Sequence, residues 1–122
     1  MALAELGAVV LDCPDPDALA GFYAEVLGGT AERDEAGDWV DLALPGGQAL
    51  AFQRAEGYIA PRRPGAESDG QQFHLDLTVR DLVAAQEGVL RLGATLLDAG
   101  EPGRSWRVYA DPAGHPFCLC AC

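Results

Sequence analysis

The cysteines and one histidine are the residues of this sequence whose types and spacing suit chemistry best. Three of the four cysteines, Cys118, Cys120 and Cys122, fall within the last five residues. Side chains alternate along a β-strand, so these three thiols would share one face. Thiolates together with a histidine such as His74 could bind zinc. The alternative is that the cysteines are buried and behave as small hydrophobic residues.

The same thiols raise the questions of a nucleophile and of disulfides. Cys118 as a nucleophile would need His74 as its activating base, and no pattern in the sequence indicates a lowered thiol pKa. A secreted disulfide framework would spread its cysteines along the chain to close loops. Neighbours at i and i+2 on a strand lie about 6.5 to 7 Å apart, at the edge of disulfide reach. We therefore expect reduced thiols, at least at Cys118 and Cys120.

Aromatic and charged residues offer a second kind of site, a pocket for an organic molecule. The aromatic candidates are Trp39, Phe52, Phe73, Trp106 and Tyr109. Aromatic residues on strands are, however, more often simple core residues. Arg62 and Arg63 could clamp an anionic ligand, although solvated loop charge is the more common role. His115 follows Gly114 before a proline, which favours turn formation over chemistry.

A duplication of the chain supplies the elements that must position these residues. Segments 8–15 (AVVLDCPD) and 74–81 (HLDLTVRD) each predict a strand that ends at an Asp suited to cap a helix. Trp39 and Trp106 recur 67 residues apart. Each half is therefore predicted to be a βαβββ unit. The predicted helices cover 16–27 and 82–92, and the predicted strands cover 5–13, 30–34, 38–44, 48–53, 72–79, 94–98, 105–110 and 116–121.

The whole chain, 1–122, is predicted to be a single α+β domain. Its first βαβββ unit covers 1–53 and its second covers 72–122. Between them, 54–71 contains several prolines and glycines and predicts a surface connector. Its length is above the usual loop range, which is typical of a functional lid.

Composition limits the partners of this chain. The net charge is −11, and all eight basic residues are Arg. An acidic surface repels phosphate backbones and anionic membranes, so neither nucleic acid nor a membrane is expected as a partner. The first ten residues lack the basic and long apolar regions of a signal peptide. The expected location is the cytoplasm.

Several fragments of the sequence resemble one family. They are LGAVVLDCPDPDALAGFYAEVLGG, ALAFQR, QQFHLDLTVRDL and ADPAGHPFCLC. These resemble the glyoxalase-like proteins of the vicinal-oxygen-chelate superfamily, which includes bleomycin-resistance proteins and dioxygenases. The resemblance implies that the two tandem βαβββ units form a cupped, open barrel of mixed sheet. It also implies a small organic molecule bound in the cup, often with one divalent metal, and a homodimer.

The resemblance also implies where metal ligands would lie, on the first and last strand of each unit. One position falls on Ala8, which has no ligand atom, and its counterpart falls on His74. The last-strand position of the second unit falls on Cys118, and that of the first on Ala51 or, with a two-residue shift, Gln53. A metal set of His74, Cys118 and Gln53 would suit zinc. Because one ligand is lost, the site is expected to be degenerate and to hold no metal.

Two functions follow from these expectations. The first is a small-molecule-binding protein, of a sequestering or resistance type. Its ligand would contact His74, Gln53 and Cys118, together with the aromatic residues Trp39, Phe52 and Trp106. The alternative is a metal-dependent lyase, isomerase or dioxygenase-like enzyme, in which one divalent ion, zinc above all, is the cofactor. An interaction protein without a ligand is a third possibility, because fold alone does not determine function.

Overall fold

The computed structural model describes residues 2–61 and 73–122. Arg62, Arg63 and most of the connector predicted at 54–71 lie outside the described residues. The chain divides into two compact units, Met1–Tyr58 and Ile59–Cys122. Each unit contains one helix and one four-stranded mixed sheet. The predicted α+β fold of two tandem βαβββ units is therefore confirmed.

Unit 1 follows the predicted order of elements closely. They are β1 (Val9–Cys13), α1 (Pro16–Leu27), β2 (Thr30–Arg33), β3 (Trp39–Ala43) and β4 (Ala49–Arg54). The strand order across the sheet is β1-β4-β3-β2. The pairing of β1 with β4 is parallel and the other two pairings are antiparallel.

Helix α1 begins and ends where its sequence signals lie. The Asp15 carboxylate accepts a hydrogen bond from the backbone N–H of Ala18 at 3.2 Å, and Pro16 occupies the first helical turn. Such a cap satisfies one of the N–H groups that a helix leaves unpaired. The helix ends at Gly28, whose φ of 78° is open to glycine and strained for other residues.

The core of unit 1 lies between α1 and one face of its sheet. Tyr23 of α1 stacks on Phe52 of β4, with ring centroids 5.7 Å apart, and Phe22 meets Tyr23 edge to face. Strand alternation and register place Leu11 and Val40 in the same row as Phe52. All five side chains are buried. The other face of the sheet carries the next residues along each strand, and we call it the helix-free face of unit 1.

Unit 2 repeats this arrangement. Its elements are β5 (Leu75–Thr78), α2 (Leu82–Arg91), β6 (Thr95–Asp98), β7 (Trp106–Ala110) and β8 (Pro116–Cys120). The strand order is β5-β8-β7-β6, with β5 and β8 parallel. Asp81 caps α2 by accepting from the backbone N–H of Ala84 at 3.1 Å. Trp39 and Trp106 each begin the third strand of their unit, as the duplication predicts.

Helix α2 contacts its sheet through one buried residue and a network of hydrogen bonds. Val89 is its one buried residue among the described positions. The side-chain oxygen of Gln86 accepts a hydrogen bond from the Tyr109 hydroxyl at 2.7 Å and another from Arg107 at 2.9 Å. Tyr109 is fully buried and stacks on Phe117, with centroids 5.4 Å apart. These contacts identify the face of the sheet that packs against α2.

The opposite face of the unit 2 sheet follows from strand alternation and register. We call it the helix-free face of unit 2, and its members are Asp76, Thr78, Trp106, Val108, Cys118 and Cys120. Asp76 and Val108 both pair with Cys118, while Thr78 and Trp106 both pair with Cys120. This face therefore consists of two adjacent rows, each centred on a cysteine of β8.

The first strand of each unit is shorter than the sequence predicts. Strand β1 begins at Val9 rather than at residue 5, and β5 begins at Leu75 rather than at residue 72, which lies outside the described residues. The parallel partner of β1 is β4, which begins at Ala49, and the first pairing is Val9 with Leu50. Residues before Ala8 would lie beyond the start of β4, so the ladder cannot extend back to residue 5.

The expectation of a reduced Cys120 is wrong in this structure. Cys120 and Cys122 form a disulfide, whereas Cys13 and Cys118 are buried thiols. The prediction placed the three cysteines along one extended strand, with neighbours about 6.5 to 7 Å apart. Strand β8 ends at Cys120, and the Cα atoms of Cys120 and Cys122 lie 5.3 Å apart. That separation lies well inside disulfide range.

Candidate functional site

Three side chains with metal-ligating or acid–base chemistry converge at one edge of the helix-free face of unit 2. Asp76 lies on β5 opposite Cys118 of β8, and His74 precedes Asp76 by two residues. One ligand atom from each of the three lies within 4.8 Å of the others. His74 and Asp76 are exposed, whereas Cys118 is only 6% exposed. We call these three residues the His–Asp–Cys cluster.

The structure brings together two of the three metal ligands that the sequence suggested. His74 and Cys118 lie in the cluster, and Asp76 was missed. The spacing His-x-Asp was a usable signal, because residues i and i+2 of a strand project from the same face. What the sequence could not show is the long-range register that places Asp76 beside Cys118.

The environment of Cys118 favours the neutral thiol. Burial raises the pKa of this thiol above its usual value, and the nearby Asp76 carboxylate raises it further. The charge of Arg104 acts in the opposite direction and is the smallest of the three effects. Because the thiolate is the nucleophilic form, burial and Asp76 both disfavour the reactive state of Cys118.

Arg104 is a component of this site that sequence analysis did not identify. Its guanidinium donates to the backbone oxygens of Trp106 at 2.8 Å and Asp98 at 3.2 Å. It also lies 3.5 Å from the Asp98 carboxylate and 3.8 Å above the ring of Trp106. These contacts fix a positive charge at the Trp106 end of the helix-free face. Trp106 itself stays 40% exposed.

The remaining sequence candidates of unit 1 lie in two different environments. Gln53 is exposed on the helix-free face of unit 1, where it pairs with Asp12 and Trp39. The indole N–H of Trp39 donates to Asp41 at 3.0 Å. Phe52 is fully buried beneath α1. It therefore has no exposed surface for a ligand in this structure and acts as a core residue.

Four other sequence candidates are placed as follows. Tyr109 is a buried core residue, and Phe73 is exposed ahead of β5. Ala8 lies just before β1, and Ala51 is fully buried on β4. Neither alanine has a ligand atom.

His115 belongs to a turn. The buried Asp111 carboxylate accepts from the backbone N–H groups of Ala113 at 2.8 Å and His115 at 3.0 Å. The turn closes through a hydrogen bond from Asp111 N–H to the His115 carbonyl. The D-P-x-G-H segment therefore organises the β7–β8 connection, as its turn residues predict.

The donor types of the His–Asp–Cys cluster fit zinc. Imidazole, carboxylate and thiolate are all zinc ligands, and a tetrahedral ion with bonds of about 2.0–2.3 Å separates its ligand atoms by roughly 3.3–3.8 Å. The cluster spans up to 4.8 Å, so small side-chain rotations would be needed to close it. The thiol makes the set a poor match for octahedral ions that prefer oxygen ligands.

Neither helix in the described part of the chain is long and apolar enough to cross a membrane.

Solved structures with the same fold span nearly the whole chain. A glyoxalase/bleomycin resistance protein/dioxygenase family enzyme from Burkholderia phytofirmans superposes with a TM-score of 0.72 at 21% identity, covering 95% of this chain and 97% of that one. A glyoxalase-related enzyme from Fulvimarina pelagi gives a TM-score of 0.66 at 24% identity, covering 97% and 88%. At these identities the likeness establishes the fold alone.

A third similar structure is a resistance protein. It is a mutant of the fosfomycin resistance protein FosX from Listeria monocytogenes, complexed with Mn(II) and 1S,2S-dihydroxypropylphosphonic acid. The TM-score is 0.72 at 12% identity, and the match covers 98% of this chain and 91% of that one. Among curated proteins no sequence matches this chain.

The family follows from the sequence match. A family model described as a glyoxalase-like domain matches residues 8–120. This range includes both βαβββ units and the whole His–Asp–Cys cluster. The resemblance to the vicinal-oxygen-chelate superfamily is thereby confirmed, and the chain belongs to the glyoxalase-like domain family.

Proposed function

We propose that this protein binds a small organic molecule on the helix-free face of unit 2, without a metal. The observation that supports this most directly is the convergence of two exposed polar side chains, His74 and Asp76, on the buried Cys118. Ligand sites typically combine apolar walls with a few polar groups that fix the orientation of the ligand. Here Trp106, 40% exposed on the same face, supplies apolar surface, and His74 and Asp76 supply polarity.

The polar groups define what the ligand must offer. An ionised Asp76 only accepts hydrogen bonds, and a neutral imidazole both donates and accepts. The ligand is therefore a molecule with at least one N–H or O–H group directed at Asp76. Trp106 extends the same face by one row, and its exposed surface suits a planar or apolar part of the ligand.

The state of Cys118 favours binding over covalent catalysis. A nucleophilic thiol requires a lowered pKa or an adjacent base. Burial and the Asp76 carboxylate instead raise the pKa of Cys118. The cysteine then contributes packing surface, and the residues with exposed polar atoms make the specific contacts.

Native mass spectrometry of the purified protein tests this proposal first, by detecting a retained small molecule. A thermal-shift screen of small organic acids, alcohols and amines then identifies ligands for the unloaded protein. The matched variants are His74→Ala and His115→Ala, which alter the two histidines of the chain. We expect His74→Ala to weaken binding at least tenfold and His115→Ala to leave it unchanged. If both variants bound the ligand with equal affinity, the proposed site on this face would be wrong.

A metal-dependent enzyme is the second candidate, and the donor types of the cluster favour it. His74, Asp76 and Cys118 would hold one zinc ion, and Gln53 remains a fourth ligand predicted from sequence. A bound zinc supplies Lewis acidity toward a carbonyl or phosphoryl oxygen. The three side chains would then orient the ion, and Trp106 would contact the apolar part of a substrate.

Zinc titration with elemental analysis separates the two candidates. Binding of one equivalent by the wild type, lost in both His74→Ala and Cys118→Ser, would support the enzyme. Metal content near zero in the wild type and in His74→Ala would support the metal-free binder. Gln53→Ala tests the predicted fourth ligand in the same assay.

We also propose that the protein acts in the cytoplasm as a homodimer. Exposed apolar side chains on α2 and its flanks support the dimer: Val83, Leu90, Leu92 and Leu96. Proteins tend to cover such surface. Light scattering at tens of micromolar protein is expected to give twice the chain mass of 12.8 kDa. A monomer mass would contradict the proposed assembly.

A further inference from the structure

The pair Cys120 and Cys122 lies at the end of β8, outside the His–Asp–Cys cluster. Beyond the strand, the backbone N–H of Ala121 donates to the Ser105 carbonyl at 2.9 Å. The Ser105 hydroxyl lies 3.7 Å from Sγ of Cys122. These contacts hold the segment beside β7 by backbone pairing. The Cα separation of 5.3 Å that allows a bridge is therefore supported by contacts other than the bridge itself.

The position of the pair suits exchange better than structural support. A disulfide stabilises a fold mainly by restricting the unfolded chain, and it does so least when the loop is short. Cys120 and Cys122 are separated by one residue, so their bridge restricts very little. Cys122 is also exposed, whereas Cys120 is buried. An exposed disulfide sulfur is open to attack by a thiolate from solution.

We propose that Cys120 and Cys122 form a reversible redox site that exchanges with a low-molecular-weight disulfide, such as oxidised glutathione. The Cys122 thiolate attacks one sulfur of that disulfide, forms a mixed disulfide and releases one small thiolate. The Cys120 thiolate then attacks the Cys122 sulfur, closes the bridge and releases the second small thiolate. The two protons lost by the cysteines are taken up by the released thiolates. Two protein thiols are oxidised to one disulfide, and the small disulfide is reduced to two thiols.

The neighbouring Cys118 does not compete in this exchange. It is the nearest other thiol in the sequence, two residues before Cys120 on the same strand face. It is buried whereas Cys122 is exposed, so a small disulfide in solution meets Cys122 first. Cys120 then closes the bridge from within the chain, because its Cα lies 5.3 Å from that of Cys122.

Trp106 gives the pair a spectroscopic reporter. It lies opposite Cys120 in the β7–β8 ladder, where facing side chains have Cβ atoms about 4.5–5.5 Å apart. A disulfide quenches the fluorescence of an indole that it contacts. Bridge formation should therefore lower the emission of Trp106.

The exchange is tested by equilibrating the native protein in glutathione buffers of fixed redox ratio, quenching with acid, and alkylating after denaturation. Intact mass should show four alkylated thiols in reduced buffer and two in oxidised buffer. Cys118→Ser, the matched control on the same strand, should change from three to one. Cys122→Ser should stay at three throughout. Four thiols in every wild-type buffer, or two thiols retained in excess reduced glutathione, would overturn the proposal.

Fluorescence across the same buffers provides a second test. Wild-type emission should fall on oxidation with the same midpoint as the thiol count, and Trp106→Phe should remove the change. If Cys118→Ser no longer formed the bridge, the exchange would involve a different pair of cysteines, and the proposal would be refuted. A redox-dependent emission that persists in Trp106→Phe would refute the placement of the bridge beside β7.

Discussion

Asp76 lies directly opposite Cys118 in the parallel pairing of β5 with β8, so an exposed carboxylate adjoins a buried thiol. Burial, and after it the negative charge of Asp76, raises the pKa of the Cys118 thiol. The pairing therefore favours the neutral thiol, and the exposed Asp76 is the residue of the two that a ligand can reach.

Replacing the carboxylate should make Cys118 more reactive. In Asp76→Asn the negative charge is lost, so the pKa of Cys118 should fall, while burial still holds it above its usual range. The rate of Cys118 alkylation at a fixed pH below that pKa should therefore rise, as measured by peptide mass spectrometry. Glu87→Gln, on the exposed surface of α2, is the charge-matched control and should have no effect. A slower reaction in Asp76→Asn would contradict the assignment.

Replacing Arg104 should act in the opposite direction. Its positive charge lowers the pKa of Cys118, so Arg104→Gln should raise that pKa and slow alkylation. The variant also loses two hydrogen bonds to backbone oxygens and the stacking on Trp106. We expect a loss of about 1–2 kcal/mol in the free energy of unfolding, measured by urea denaturation. Arg91→Gln, at an exposed position, is the control. If both variants lost the same free energy of unfolding, Arg104 would have no particular structural role.

The Gln86 network should dominate the attachment of α2. Gln86→Leu removes the acceptor for the buried Tyr109 hydroxyl, and an unsatisfied buried donor costs about 1–3 kcal/mol. Adding Tyr109→Phe removes that donor, so the double variant should recover part of the loss. A double-mutant cycle in urea measures the coupling. Strictly additive effects would show that the 2.7 Å contact contributes no stability.

Stability should fall at high pH because two buried groups keep their protons in the folded state. Burial raises the pKa of Cys118 and that of Tyr109, and it is the largest cause of both shifts. The unfolded chain then loses these protons first, from the ordinary thiol pKa upward, and this favours unfolding. The contribution of these two groups to the free energy of unfolding should be constant below that pH and decline above it. Cys118→Ala should weaken the decline, and an unchanged slope would show that the thiol does not contribute.

Phe52 and Trp106 should respond differently to truncation. Phe52 is fully buried against Tyr23, and Phe52→Ala should cost about 3–5 kcal/mol of stability. The milder Phe52→Leu should stay folded and bind ligand normally. Trp106→Leu should cost less stability and weaken ligand binding. Loss of binding in Phe52→Leu, with the fold intact by circular dichroism, would restore Phe52 as a ligand contact.

The fold was predictable because its signals are local. Asp15 and Asp81, the glycine after α1, and the paired tryptophans all lie within or next to the elements they specify. The residues of the site were harder to predict from the sequence. Asp76 needed a strand register between residues about 40 positions apart, as its pairing with Cys118 shows. Arg104 lies between β6 and β7 and binds backbone carbonyls at the ends of those strands, and such partners leave no residue pattern. The Cys120–Cys122 bridge depended on where β8 ends, and strand boundaries are the least certain part of any pattern.

The unequal attachment of the two helices has a consequence for how each half can change. Helix α1 packs through five buried residues, and non-directional packing accepts exchanges of similar volume. Helix α2 has one buried residue and depends on a single amide oxygen with two directed hydrogen bonds. Few side chains reproduce that geometry. Core residues of the first unit can therefore be exchanged for others of similar total volume. Position 86 of the second unit, in contrast, tolerates little besides glutamine.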